Sequence, residues 1–210
     1  APHIITWRQL PERTLRFSNG IGGFSADGKE YVIRLEEGRH TPAPWSNIIS
    51  GRDFGFLVTE SGGGYTWAGN SREYKLTPWA NDPVSDRPGE VFYIYDPEER
   101  RHWSLTPMPS GDGEPYTVRH GFGYSVFEHC SFGLEQSLTM FVPIEFPVKV
   151  CVIRLKNLTG KRRDLFATYY LRPVLGVGEE RTSPYIVTQK GDGGILFIEN
   201  KFSVNHKNNV

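Results

Sequence analysis

The chain has 210 residues and only two cysteines, Cys130 and Cys151, with no Cys-x-x-Cys pair. Two thiols make no disulfide framework, and a chain of this size does not need one. Both are expected as buried thiols in strands, which fits a reducing, cytoplasmic setting. An excess of one charge is also missing. Lys+Arg and Asp+Glu number 24 each, and no Lys/Arg stripe appears, which argues against nucleic acid and anionic membrane as partners. The one compact basic cluster, Lys161-Arg162-Arg163, follows Asn157-Leu158-Thr159-Gly160 and reads as a solvated hairpin turn. No stretch approaches the ~18–20 apolar residues of a membrane span, and the first residues lack a charged-then-apolar leader pattern. His102, His120 and His129 stand 18 and 9 positions apart. Metal ligation favours i,i+2 on a strand or i,i+4 on a helix, so no metal site is expected. There is no Gly-x-Ser-x-Gly and no Cys-His constellation. Gly20-Ile21-Gly22-Gly23 is followed by no Lys-Ser/Thr and reads as a backbone turn rather than a phosphate cradle.

What the chain does have is turn formers and rings: Gly 23, Pro 15 and 13% aromatics. Many turns and aromatics with few Ala or Leu runs predict an all-β protein. From Tyr116 onward strand follows strand. Residues 122–130 alternate, and residues 132–142 alternate more cleanly, with Gln136 as the one polar residue on the apolar parity. A turn at 131–133 makes these two a hairpin. The β-branched run 148–156 and the run 164–171 are expected to pair across 157–161, and 185–189 with 195–199 across a Gly-rich turn. Residues 31–35, 54–60 and 91–95 are further strands. Helix is nearly absent, with 10–15 the best marginal candidate. Two long segments, 38–53 and 62–89, are read as irregular, and ordered loops of that length are usually functional.

The second of these holds the run 62–86, GGGYTWAGNSREYKLTPWANDPVSD. Flat aromatic faces beside planar polar side chains are what a protein uses to hold a sugar, and a few polar groups on an apolar wall compose a ligand site. The other reading is a Gly-anchored surface loop whose Trp residues plug a core edge. Glu60, Glu73, Asp82, Asp86 and Glu90 could supply a carboxylate pair for glycoside chemistry. Arg72-Glu73 can equally hold the loop's shape, and Asp82-Pro83 and Asp86-Arg87-Pro88 are turn signals; binding or scaffolding is favoured over catalysis. Arg119-His120 enters a Gly-x-Gly bend and is either part of a bulged hairpin turn or aimed at a ligand.

Several blocks together carry a family signature: 17–33 (FSNGIGGFSADGKEYVI), 41–47 (TPAPWSN), Phe54-Gly55-Phe56, the run 62–86, and 119–124 (RHGFGY). In that order they resemble the N-terminal part of the glycoside phosphorylases of family 94, formerly glycosyltransferase family 36. The resemblance is nearest to the branch with cyclic β-1,2-glucan synthases and β-1,2-oligoglucan phosphorylases, and covers about residues 15–199. It implies a large antiparallel β-supersandwich of the galactose-mutarotase-like type over 15–210, cut at its C-terminal end and preceded by an extension at 1–14. It also implies that the catalytic (α/α)6 barrel, which supplies the general-acid Asp, lies outside this chain.

The resemblance further implies a parent enzyme that uses inorganic phosphate as co-substrate, with no other cofactor. The expected partners are a β-gluco-oligosaccharide, the barrel of the same parent chain and a possible second copy. No catalytic residue is expected here. The expected rim residues for sugar are Trp67, Asn70, Arg72, Glu73, Trp79, Asp82, Arg119 and His120. In one branch of the family a loop reaches the sugar; the matching stretch, 178–185 (GEERTSPY), lacks that branch's Tyr-Gln-Arg, so the resemblance does not carry that contact to Arg181. Two alternatives remain. One is a stand-alone sugar-binding module with Trp45, Trp67 and Trp79 as a stacking platform. The other is a mutarotase-like epimerase using His120, His129 and Glu128, which the opposite facing of adjacent Glu128 and His129 disfavours.

Overall fold

The computed structural model describes residues 14–36 and 38–203. The chain forms antiparallel sheets throughout. β1 (Gly22–Phe24), β2 (Glu30–Leu35), β8 (Tyr116–Gly121), β9 (Tyr124–Ser131), β10 (Leu134–Phe141) and β11 (Val150–Asn157) form a six-stranded sheet in the order β1-β2-β8-β9-β10-β11. β3 (Ser46–Ser50), β4 (Phe54–Thr59) and β5 (Gly64–Ala68) make a second sheet. β6 (Glu90–Asp96), β7 (Arg101–Ser104) and β12 (Phe166–Leu171) make a third, in the order β12-β6-β7, and β13 (Ile186–Lys190) pairs with β14 (Leu196–Asn200). The helical content of the described residues is one turn, α1 (Glu179–Thr182), and two 3-10 turns. The expected helix at 10–15 lies almost wholly outside the described residues.

The core lies between the sheets because side chains alternate along each strand. Ile33, Val118, Phe127, Leu138 and Met140 of the large sheet meet Ile49, Phe56, Ile94 and Trp103 of the smaller ones. β10 alternates without a break, with Leu134, Gln136, Leu138 and Met140 all buried. Gln136 keeps its place because its partners are buried with it: Trp103 Nε1 donates to its Oε1 at 2.8 Å, and its Nε2 donates to Ser131 Oγ at 3.2 Å. Both anticipated cysteines lie in strands and are free thiols, Cys130 buried and Cys151 half-buried.

Three expectations about strands are corrected. Residues 122–130 do not begin a strand at Phe122; Phe122-Gly123 is a two-residue turn joining β8 to β9. The segments expected to be irregular contain β3 and β5. β11 and β12 do not pair with each other. β11 adds to β10, whereas β12 crosses to the other layer and pairs with β6, Tyr169 opposite Phe92 and Leu171 opposite Glu90. A polar turn alone does not fix strand partners. Here the buried face of β6 attracts β12, and the two rings of Tyr169 and Phe92 stack at 4.4 Å.

Replacing Gln136 by Leu would leave the Trp103 N–H buried and unpaired. The expected loss is about 1–3 kcal/mol of unfolding free energy in urea titration; an unchanged midpoint would contradict this reading of the core.

Candidate functional site

The run 62–86 starts and ends at one place. Asp86, at φ 37°, accepts from Thr59 Oγ1 and Ser61 Oγ, and a Cβ on Gly63 would overlap its carboxylate. Between these ends, β5 alternates. Thr66 points inward, while Tyr65 and Trp67 share the other face, as i and i+2 must. Tyr65 stacks on Trp79 with centroids 5.3 Å apart and tilts against Trp67 at 5.1 Å. Trp67 lies across Gly55 of β4, where an added Cβ would come within 2.6 Å of its ring, which explains the glycine between Phe54 and Phe56. Trp45 belongs to another cluster, packed edge-on against Tyr31 at 5.7 Å.

Asn70 and Asp82 shape the turns. Asn70 Oδ1 accepts from the backbone N–H groups of Arg72 and Glu73 at 2.8 and 2.9 Å. Asp82 Oδ1 accepts from those of Val84 and Ser85 at 3.0 and 3.3 Å. The Ser85 hydroxyl and these two N–H groups hold the exposed Asp82 carboxyl below its usual range. Arg72 and Glu73 are exposed and face each other at 3.4 Å.

The segment after these turns is stitched to the chain beyond β12. Lys75 and Gly176 exchange backbone hydrogen bonds at 3.1 and 3.0 Å, Val174 N–H donates to the Leu76 carbonyl at 2.9 Å, and Leu76 N–H donates to the Thr66 carbonyl at 2.8 Å. The Lys75 ammonium donates to the Arg72 and Val177 carbonyls, each at 2.9 Å. The result is a short ribbon of residues 74–76 and 174–176 laid beside β5. Between it and α1 opens a cleft of about 390 Å³, lined by Trp79, Arg87, Arg172, Glu179 and Glu180 among others. Arg172 and Glu179 are paired within it. An aromatic ring among planar charged groups can stack on the C–H face of a sugar and hydrogen-bond its hydroxyls.

The ribbon hangs on one carboxylate. Glu90, at the start of β6, takes two donors on each oxygen: Thr66 Oγ1 and Thr77 Oγ1 (the latter at 2.7 Å) on Oε1, and Lys149 Nζ at 2.6 Å and Tyr169 OH at 2.8 Å on Oε2. Burial pushes this carboxyl up, but the Lys149 ammonium and the hydroxyl donors outweigh it and hold it at about 2. Glu60 goes the other way. Burial raises it against the hydrogen bonds from Thr41 Oγ1 and the Trp45 N–H, the latter at 2.7 Å.

Arg119 and His120 are adjacent on β8 and project to opposite faces. Arg119 pairs with Glu30 and reaches both oxygens of Glu128 at 3.2 Å. His120 lies on the core side. Its Nε2 must donate to the Trp45 carbonyl at 3.1 Å, which leaves Nδ1 to accept from Ser125 Oγ at 2.9 Å. Burial depresses its pKa to about 4, against the pull of that carbonyl, so the ring is neutral. Neither residue lines the cleft. Of the eight expected rim residues, Trp67 and Trp79 come together through Tyr65, while Asn70, Arg72, Glu73 and Asp82 occupy the adjoining exposed turns. Tyr65, Arg87 and Arg172 were not among the expected rim residues, and Glu179 and Glu180 lie in the stretch 178–185, to which the resemblance carried no contact. Tyr65 could have been found from its i,i+2 spacing to Trp67; the others depend on a contact made about 90 residues away in sequence.

All-antiparallel layers around one core, with an aromatic cleft on the rim, define a β-supersandwich domain. Comparison with known proteins gives the family: the description "Glycosyl hydrolase 94, supersandwich domain" matches residues 29–210, and the chain belongs to that family. It is 36% identical over 202 residues to the cyclic beta-(1,2)-glucan synthase NdvB of Rhizobium meliloti (strain 1021), covering 94% of this chain and 7% of that protein. It is 32% identical over 150 residues to the N,N'-diacetylchitobiose phosphorylase of Vibrio proteolyticus, covering 70% of this chain and 18% of the relative. With the solabiose phosphorylase of Paenibacillus borealis it shares 28% identity over 149 residues, 70% of this chain and 19% of the relative. The chain therefore spans a small part of each of these relatives.

Glu90 gives a testable pH dependence. Its folded pKa of about 2 is below the ordinary value of 4.5, so its stabilisation is full above about pH 4.5 and fades as pH falls toward 2. Glu90→Gln should cost about 3–5 kcal/mol at neutral pH by stranding Lys149. That gap from wild type should narrow steadily below pH 4.5 in denaturant titrations; a gap constant with pH would contradict the assignment.

Proposed function

We propose that this chain is a non-catalytic, sugar-contacting and scaffolding domain of a β-glucan-active glycoside phosphorylase or cyclic β-1,2-glucan synthase. The parent reaction would be inverting phosphorolysis with inorganic phosphate, or glucan transfer, on a catalytic barrel elsewhere in the parent chain. The observation that carries the reading is the cleft in which Trp79, stacked on Tyr65, stands among Arg172, Glu179 and Glu180. It has an aromatic face and charged planar groups and would form one wall of a sugar site. The names of the relatives, a cyclic glucan synthase and phosphorylases of N,N'-diacetylchitobiose and solabiose, support the sugar class.

An epimerase is less well supported. Its chemistry needs an acid and a base free to face one ligand. Both nitrogens of His120 are engaged, His129 is buried between the Pro115 carbonyl and the Asp112 carboxylate at 3.0 and 3.1 Å, and Glu128 is bidentate to Arg119.

Titration with β-1,2- and β-1,4-gluco-oligosaccharides tests the proposal. Binding with a dissociation constant on the order of 1 mM is expected, weakened at least tenfold by Trp79→Ala and less by Trp67→Ala, whose ring lies behind Tyr65. Absence of binding, or binding indifferent to Trp79→Ala, would overturn the sugar contact.

A further inference from the structure

The ribbon has a second face. Strand alternation sends Arg172 and Val174 toward the Trp79 cleft and Leu171, Pro173 and Leu175 the other way. On the other chain Lys75 and Trp79 line the cleft and Leu76 points behind it; the bend at Leu76–Thr77 breaks the alternation and turns Thr77 behind the ribbon as well. Behind the ribbon lies a separate cavity of about 310 Å³, roofed by Leu196 and Ile198 of β14, with Glu90, Lys149, Thr66 and Tyr169 among its lining groups.

Its chemistry narrows the occupant. The Glu90 carboxylate already takes four donors and has no capacity left. The Lys149 ammonium gives one N–H to Glu90 and one toward Thr66 Oγ1 at 3.5 Å, which leaves a third. The Tyr169 hydroxyl donates to Glu90 and keeps acceptor capacity. Both groups bond the same carboxylate oxygen, so one donor and one acceptor stand side by side. The charges of Glu90 and Lys149 cancel, which disfavours an ionic ligand. The remaining walls are mainly aliphatic, with Phe54 among them, and the volume falls at the small end of ligand pockets, about 300 Å³, too small for an extended chain.

We propose that this cavity is a second subsite, which binds a single neutral pyranose ring on the reverse face of the ribbon from the Trp79 cleft. Adjacent ring hydroxyls pair with Lys149 Nζ and Tyr169 OH, and the C–H faces of the sugar rest on Leu171, Leu175 and Leu196. Leu196 is 69% exposed without a ligand and forms the lip that the ring would cover. The proposal rests on the carbohydrate reading above but on a different set of residues.

The test is titration of the full chain with D-glucose, followed by NMR or calorimetry, with D-gluconate as the charged control. Saturable glucose binding in the millimolar range is expected, with gluconate at least tenfold weaker. Tyr169→Phe keeps the stack on Phe92 and removes the acceptor; it should weaken glucose binding about tenfold. Leu196→Trp, at an exposed position, fills the lip and should abolish it. No saturable glucose binding by the wild type, or binding that survives Leu196→Trp, overturns the subsite. If oligosaccharide binding is lost in Trp79→Ala and glucose does not bind, this proposal fails and the cleft stands. If glucose binds behind the ribbon and oligosaccharides do not bind in front, the cleft reading fails and the subsite stands.

Discussion

The four-donor carboxylate of Glu90 is the constraint on which the rest of this domain's rim depends. Its donors come from β5, the segment after it, the approach to β11, and β12, so one side chain joins all the layers at that edge. A buried charge is costly alone and is tolerated when paired and fully hydrogen-bonded. Lys149 supplies the pairing and also lies over the Phe56 ring at 4.5 Å, reaching into the main core. The polar edge of the domain is thereby attached to its apolar centre.

From that anchor the ribbon follows. Thr66 and Thr77 bind Glu90 with the inward side of their strands, so Tyr65 and Trp67 must face out. The backbone pairing of Lys75 with Gly176 then holds the far chain against the loop. Gly176, with an added Cβ 2.9 Å from Thr182, allows α1 to approach closely. Two cavities lie back to back on either side of this two-chain wall, one aromatic and charged, one mainly aliphatic with a neutralised ion pair.

The strand content and the β9-β10 and β13-β14 hairpins were legible in the sequence, because period-two alternation and Gly-rich turns are local signals; the supersandwich class followed from the resemblance to family 94. Gln136 looked like a flaw in the pattern of β10 and is a buried hydrogen-bond partner of Trp103. The departure of β12 to β6 was not legible, since strand partners are set by which buried face is available and not by the turn between them. For the candidate site, the aromatic run marked the segment that borders the cleft, and Trp67 and Trp79 do come together through Tyr65. Arg119-His120 stood out by spacing in a Gly-x-Gly bend, yet adjacency in a strand sends the two to opposite sides. Arg87 and Arg172 carried no local signal, because their contribution exists only after the ribbon has formed, and Glu180 lies in the stretch 178–185, where the resemblance carried no contact.

Sugar bound at the ribbon would shield its backbone from exchange, so hydrogen exchange with and without a β-gluco-oligosaccharide is the decisive measurement. Slowed exchange is expected at residues 74–80 and 172–180, with no change at the distant turns 97–100 and 158–163. Protection confined to those turns, or no protection at the ribbon while sugar is bound, would contradict a sugar contact there.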